Sequence, residues 1–270
     1  MENALIAIIG AGHMGMSLLG GLISNGCRIN QLILADPDAA KLQKAKNNYK
    51  VHVTTNNMEA IKTATVILFA VKPDIISVIA EELAAIIQKN KPLVISIAAG
   101  IRETSLQHFL NNEIPIVRAM PNMPALIGCG ATALYANSFT SQEQRQLAES
   151  ILKSVGIVVW LENESLMDAV TALSGSGPAY FYLMIEAMQA AGEKLGLPAE
   201  IARILTLQTA YGASCLARES ETPASALRQQ AMTPGGTTEQ AVRVLEENNI
   251  REIIASAVKA AANRAHALGL

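Results

Sequence analysis

Leu5-Ile6-Ala7-Ile8-Ile9-Gly10-Ala11-Gly12-His13-Met14-Gly15, near the start of the 270-residue chain, is the stretch that decides the fold. Five apolar residues followed by glycines spaced G-x-G-x-x-G read as a buried strand turning into a helix over a dinucleotide. Gly10 permits the tight turn, Gly12 lets the backbone approach a pyrophosphate, and Gly15 lets the helix from Met14 to Asn25 lie close on its strand. Unpaired N–H groups at the start of that helix would meet the anion. Ala11, His13 and Met14 fill the rest of the candidate loop.

Working outward, Gln31–Ala35 is a second apolar strand that ends in Asp36-Pro37-Asp38 and leads into a helix from Ala39 to Asn47. Asp36 fits two roles. A strand-end acid can accept hydrogen bonds from a ribose diol, and an Asp-Pro-Asp turn also produces a helix-capping or turn aspartate. Val51–Val53 is a short strand, and Thr55-Asn56-Asn57 caps the next helix. The apolar run Thr65–Val71 has the composition of a parallel strand covered on both faces. It stops at Lys72-Pro73, since proline forces Lys72 into extended backbone and offers no N–H to the ladder. Ligands of open α/β sheets bind beyond the carboxyl ends of the strands, so Val71, Lys72 and Pro73 are expected to border a cofactor, Lys72 either through its backbone rather than as a general acid or simply as a solvated loop lysine.

The alternation continues with a helix at 74–88, a strand at Leu93–Ile97, a small-residue turn at Ala98-Ala99-Gly100, a helix at 102–110 and a strand at Ile114–Val117. A parallel, doubly wound sheet with right-handed crossovers is expected. Arg118–Pro124 should leave the sheet as a proline-braced loop. A strand at Ala131–Tyr135, a helix at 141–155 and a strand at Ile157–Trp160 then complete a dinucleotide-binding domain over residues 1–161.

Strand patterns disappear from 162 onward, and residues 162–270 read as an all-helical domain. Helices are expected from Ala179 to Leu195 and from Pro198 to Arg218, with shorter ones after Pro223, at 239–247 and at 251–267. The first two are apolar around most of their circumference, more than one small core can cover, so a second copy of the chain is the expected cover. Ahead of the helix at 239–247 stands Met232-Thr233-Pro234-Gly235-Gly236-Thr237-Thr238. It reads either as a second anion cradle of free N–H groups and hydroxyls or as a plain turn with a threonine cap.

A net charge of -2 and a pI near 6.1 point to neither nucleic acid nor an anionic membrane as partner. No apolar run reaches the roughly 20 residues that span a bilayer, and no charged, cleavable leader precedes the first strand. A soluble, cytoplasmic protein is expected. Cys27, Cys129 and Cys215 lack C-x-x-C spacing and are expected as reduced, packed thiols. His13, His52, His108 and His266 do not cluster, so no metal site is expected.

A dinucleotide domain, a helical domain and a second anion cradle suggest hydride transfer to a small carboxylate-bearing molecule. Reducing a ketone calls for a His or Lys to supply the developing alkoxide with a proton. Neither occurs between Glu162 and Glu193. An iminium acceptor, already cationic, can be served by a hydroxyl or an ordered water.

Four segments together resemble pyrroline-5-carboxylate reductase. They are Gly10–Gly15, Ala70-Val71-Lys72-Pro73, Asp168–Tyr180 with its Ser174-Gly175-Ser176-Gly177-Pro178, and Thr233–Thr238. The resemblance covers nearly the whole chain. It implies NADPH- or NADH-dependent reduction of 1-pyrroline-5-carboxylate to L-proline. It further implies that Gly10–Gly15 bind pyrophosphate and that Val71–Pro73 with Ile97, Ala98 and Ala99 line the nicotinamide side. Asn57 matches a cofactor-contacting asparagine. The substrate carboxylate would be held at Thr233, Gly235, Gly236, Thr237 and Thr238, with Ser176 nearby, and Thr238 matches the proposed proton donor. Family members form dimers through their helical domains and commonly decamers of five dimers.

Two positions depart from the family pattern. Gln230 stands where some relatives have asparagine, and Thr237 stands where some members have alanine, its extra hydroxyl expected to cap the helix. The competing readings are a β-hydroxyacid dehydrogenase, whose pattern requires a lysine on the helix after the dinucleotide domain, and a non-catalytic dinucleotide sensor or scaffold. Cofactor choice stays open: Asp36 favours NADH, whereas the family often uses NADPH.

Overall fold

The computed structural model describes residues 4–111 and 113–269. In chain order the first part comprises β1 (Ile6–Ile9), α1 (His13–Ser24), β2 (Leu32–Ala35), α2 (Ala39–Tyr49), β3 (His52–Thr54), α3 (Asn57–Ile61), β4 (Val66–Phe69), α4 (Pro73–Asn90), β5 (Leu93–Ser96) and α5 (Glu103–Phe109). It continues with β6 (Ile116–Met120), β7 (Gly130–Ala136), α6 (Gln142–Lys153) and β8 (Gly156–Trp160). The strands form one eight-stranded sheet in the order β3-β2-β1-β4-β5-β6-β7-β8.

β1 and β4 are neighbouring interior strands of this sheet and are buried along their whole length. Their alternate side chains feed two cores, as a period of two requires. Ile6, Ile8 and Leu68 join Leu18, Leu19 and Leu22 of α1 on one face. Ala7, Ile9, Ile67 and Phe69 join Ile76, Ala80 and Leu83 of α4 on the other. Helices on both faces explain why these strands read as continuous apolar runs.

The sheet is not wholly parallel, contrary to the sequence expectation. β7 runs antiparallel to β6, pairing Val117 with Ala136 and Met120 with Ala133, whereas the other neighbours are parallel. The connection between them holds only a short 3-10 turn, Met123–Ile127, and a parallel return needs a crossover of a dozen or more residues. For the same reason Arg118, Ala119 and Met120 are strand residues rather than loop residues: β7 folds straight back along them.

After β8 come α7 (Met167–Val170), a π-helical turn at Thr171–Gly175, α8 (Gly177–Lys194), α9 (Ala199–Glu219), α10 (Ala224–Gln230), α11 (Thr237–Glu247) and α12 (Ile250–Leu268). The chain divides into two compact units. One runs to Ser176 and takes in the chain again from Ala261; the other is Gly177–Ala260. Among the described residues, no helix is long and apolar enough to cross a membrane.

Within the second unit, Gly192 lies against Leu197 and Ala202 where α8 turns into α9. Much of the apolar surface of this pair stays open in a single chain: Phe181 is 66% exposed, Leu183 67% and Tyr211 67%. Open apolar area of this kind marks an association surface. Size-exclusion chromatography with light scattering at micromolar concentration should therefore show a dimer or a larger assembly; a monomer alone would contradict it.

The three cysteines are free, as expected, but not all packed. Cys27 is buried and Cys215 intermediate, while Cys129 is exposed. It follows Gly128, whose φ of 73° ends the 3-10 turn, and so stands in the open corner before β7.

Candidate functional site

Gly10 leaves β1 with φ of 110°, a conformation that a side chain would strain, and its N–H donates to the Ala35 carbonyl at 2.7 Å. A Cβ there would lie 2.5 Å from the Ala70 carbonyl oxygen, so the loop is wedged against the end of β4. At Gly15 a Cβ would collide with the Gly10 carbonyl oxygen. Gly12 differs from both: it is exposed and a Cβ on it would meet nothing within 4 Å. As N-cap of α1 it supplies no side chain, and no acidic residue occupies the first turn. Met16 N is the first amide of this turn to find a backbone acceptor, the Gly12 carbonyl at 2.9 Å. The result is an uncapped helix start beneath open space, which fits a pyrophosphate.

Asp36 follows β2 directly and is 7% exposed. Its Oδ2 accepts from the Ala11 N–H at 2.7 Å and its Oδ1 from the Asp38 N–H at 2.9 Å. The turn role weighed for it in the sequence is thus present, and the acceptor also holds the glycine loop. Asp38, not Asp36, caps α2, accepting from Ala40 and Lys41 N–H groups. Lys41 Nζ stands 3.7 Å from Asp36 and 3.8 Å from Asp38.

Because β1 to β6 are parallel, the turns after β2, β4 and β5 open on the same edge of the sheet as the glycine loop. Val71 is partly buried and its Cγ1 would lie 3.1 Å from a Cβ on Gly10. Lys72 is the exposed N-cap of α4, in extended backbone, with Pro73 at the first helical position. Ile97 N donates to the Phe69 carbonyl at 3.1 Å, Ala98 is buried and Ala99 partly so. Asn57 opens α3, whose cap is the neighbouring Asn56 through the Glu59 N–H. These positions share one edge; direct contact is seen among the glycine loop, Asp36 and Val71.

Ser176 ends the π-helical turn, its N–H donating to the Thr171 carbonyl at 2.8 Å. Asn122 was not singled out from the sequence, yet it ties this turn to the sheet. Its Nδ2 donates to the Ser174 carbonyl at 3.1 Å and its Oδ1 accepts from the Ala131 N–H at 2.9 Å. Gly175 packs against the tip of Met120: a Cβ there would lie 2.5 Å from Met120 Cε, which would have to move aside. The available signal was the run of small residues Ser174–Gly177, which marks close approach without naming the partner.

Thr233–Thr238 lie in the other compact unit. Gly235 has φ of 72°, and its N–H donates to Glu239 Oε2 at 2.7 Å, while Gly236 N–H donates to the Thr233 carbonyl at 2.8 Å. Those two donors are therefore engaged inside the segment. Gly236 is the N-cap of α11 and no side chain caps it, so the capping role expected for the Thr237 hydroxyl is not observed: Thr237 sits one residue too late, at the first helical position. Thr233, Thr237 and Thr238 are exposed.

No group of three or more His, Cys, Asp or Glu placed to hold a metal occurs among the described residues.

Residues 164–268 match the family model described as pyrroline-5-carboxylate reductase dimerisation. Residues 5–100 match one described as NADP oxidoreductase, coenzyme F420-dependent. A pyrroline-5-carboxylate reductase of Pseudomonas aeruginosa is 44% identical over 98% of this chain and 96% of its own, and one of Synechocystis is 40% identical over 98% of both. Among solved structures, a pyrroline-5-carboxylate reductase from Coxiella burnetii aligns with a TM-score of 0.95 at 43% identity, covering 99% of both chains. One from Plasmodium falciparum with NADP bound aligns at 0.89 and 31%, covering both chains fully.

Proposed function

The chain belongs to the pyrroline-5-carboxylate reductase family, and on that premise we propose that it reduces 1-pyrroline-5-carboxylate to L-proline with NADPH or NADH, the closing step of proline synthesis. The observation that carries this reading is the match to pyrroline-5-carboxylate reductases along nearly the whole chain, and the uncapped start of α1 with open space over Gly12 agrees with it by suiting a dinucleotide. The nicotinamide, when bound, supplies a hydride. The hydride forms a C–H bond at the imine carbon, the C=N π pair becomes the nitrogen lone pair, and one proton added at nitrogen leaves the secondary amine.

The residues divide the work as follows. Gly10, Ala11, Gly12, His13, Met14 and Gly15 would hold the pyrophosphate on the α1 N-terminus, Asp36 would meet the adenosine ribose, Asn57 would contact the cofactor, and Val71, Lys72, Pro73, Ile97, Ala98 and Ala99 would flank the nicotinamide. Ser176 and the Thr233–Thr238 segment hold the substrate, its carboxylate taken by Thr233, Gly235, Gly236, Thr237 and Thr238 through N–H and O–H donors. Hydrogen bonds to a charged group contribute about 1.5–3 kcal/mol each, against roughly 0.3–1 kcal/mol for a helix dipole, so specific contacts dominate. With Gly235 N–H given to Glu239 and Gly236 N–H to the Thr233 carbonyl in this structure, carboxylate binding by those two amides requires both partners to release them. A fixed carboxylate turns the ring carbon toward the hydride and removes much of the entropic barrier. Thr238 gives the proton to the imine nitrogen.

Residues 1–161 serve the dinucleotide, and 162–270 serve substrate binding and dimerisation. The match to a dimerisation family supports a homo-oligomer; a dimer that builds further into five dimers, working in the cytoplasm, follows from the family pattern. The test is oxidation of NADH and of NADPH, measured separately with 1-pyrroline-5-carboxylate and purified protein. Consumption with formation of proline is expected, and no consumption of either, where a known reductase is active, overturns the reading.

A further inference from the structure

We propose that this chain selects NADH over NADPH and that Asp36 sets the choice, an inference that rests on the reductase reading above. The two cofactors differ only at the adenosine 2′ position, a hydroxyl in one and a phosphate in the other. Asp36 stands at the end of β2, the position from which an acid reaches that ribose in doubly wound folds. A carboxylate offers about four acceptor sites. Here two are taken by backbone, the Ala11 N–H on Oδ2 and the Asp38 N–H on Oδ1. The capacity left beside Lys41 suits an O–H donor of a ribose diol and is wrong for a phosphate, which brings charge and no donor.

The surroundings tell the same way. A 2′-phosphate needs a cation or a free helix N-terminus. The helix that starts at this turn, α2, has its N-terminus filled by the Asp38 carboxylate, which accepts from the Ala40 N–H at 2.9 Å and the Lys41 N–H at 3.3 Å. Lys41 is the cation of this turn, and its ammonium lies between both carboxylates, at 3.7 Å from Asp36 and 3.8 Å from Asp38. Two carboxylates against one ammonium leave the turn net negative. The Asp36 carboxylate also cannot swing aside at no cost. It is nearly buried and pins the amide of Ala11 in the pyrophosphate loop itself.

Equilibrium titration of the purified protein with NADH and NADPH, followed by nicotinamide fluorescence, tests the proposal without requiring turnover. NADH should bind roughly tenfold or more tightly, about 1.4 kcal/mol or more of discrimination. Asp36→Ser keeps a hydroxyl able to accept from Ala11 and removes the charge, so the NADH/NADPH ratio should fall by a similar factor. Equal or tighter binding of NADPH by the native chain, or an unchanged ratio in an Asp36→Ser protein that melts like the native one, overturns the proposal. If that variant fails to fold, ADP-ribose and its 2′-phosphate are compared as competitors of NADH on the native chain; equal potency overturns the proposal and weaker competition by the phosphate supports it. Failure of the reductase reading would look different: a cofactor preference in binding, with no proline formed from 1-pyrroline-5-carboxylate.

Discussion

Thr238→Ala should lower kcat for 1-pyrroline-5-carboxylate reduction by about two orders of magnitude or more, the usual worth of a positioned proton donor. Thr238 is the second residue of α11 and its side chain is exposed, so truncation removes a hydroxyl without opening a cavity, and the melting temperature should stay within a degree or two of the native value. Thr238→Ser retains the donor and should recover most of the rate. The split between constants is informative: loss of a proton donor falls on kcat, whereas loss of a carboxylate contact alone falls on KM. A near-native rate in Thr238→Ala would assign the proton to water and leave Thr238 a binding role.

Gly12→Ala should weaken binding of either dinucleotide on the order of 100-fold while leaving the fold intact, because a methyl group would displace the pyrophosphate from the loop. Gly12 has φ of -70° and ψ of -179°, which alanine adopts freely, and nothing lies within 4 Å of a Cβ there. Nothing within the chain therefore demands glycine at this position. Gly15→Ala is the contrasting case, since its Cβ collides with the Gly10 carbonyl, and stability should fall together with binding. Thermal melts and cofactor titration of the two variants separate these effects. Native-like affinity in Gly12→Ala would remove the pyrophosphate from this loop.

Local chemistry made much of this architecture readable. The runs Ile6–Ile9 and Val66–Phe69 announced buried parallel strands because helices on both faces demand apolar side chains at every position. Pro73 was legible as the end of the strand run, one residue ahead of the helix expected at 74–88, and is itself the first residue of α4, while the glycine spacing announced α1. The antiparallel β7 was illegible in periodicity, since a strand looks alike in either direction; the signal was the shortness of the link after Met120. Asn122 joins Ser174 across 52 residues, and no local pattern foretells such a contact. Asp36 was ambiguous in the sequence for a physical reason. The same carboxylate that holds Ala11 and Asp38 has acceptor capacity left for a ribose. The Thr237 hydroxyl misled because a threonine at a helix start resembles a cap, and the capping position falls one residue earlier, on Gly236.

In the proposed reaction the hydride passes directly to the imine carbon of 1-pyrroline-5-carboxylate. Its most direct test is a single-turnover reaction with NADH stereospecifically deuterated at nicotinamide C4, run once with each of the two labelled faces, followed by mass spectrometry of the product. One of the two labels should appear as a single deuterium at C5 of proline. Proline without deuterium from either label, or no proline at all, would contradict it.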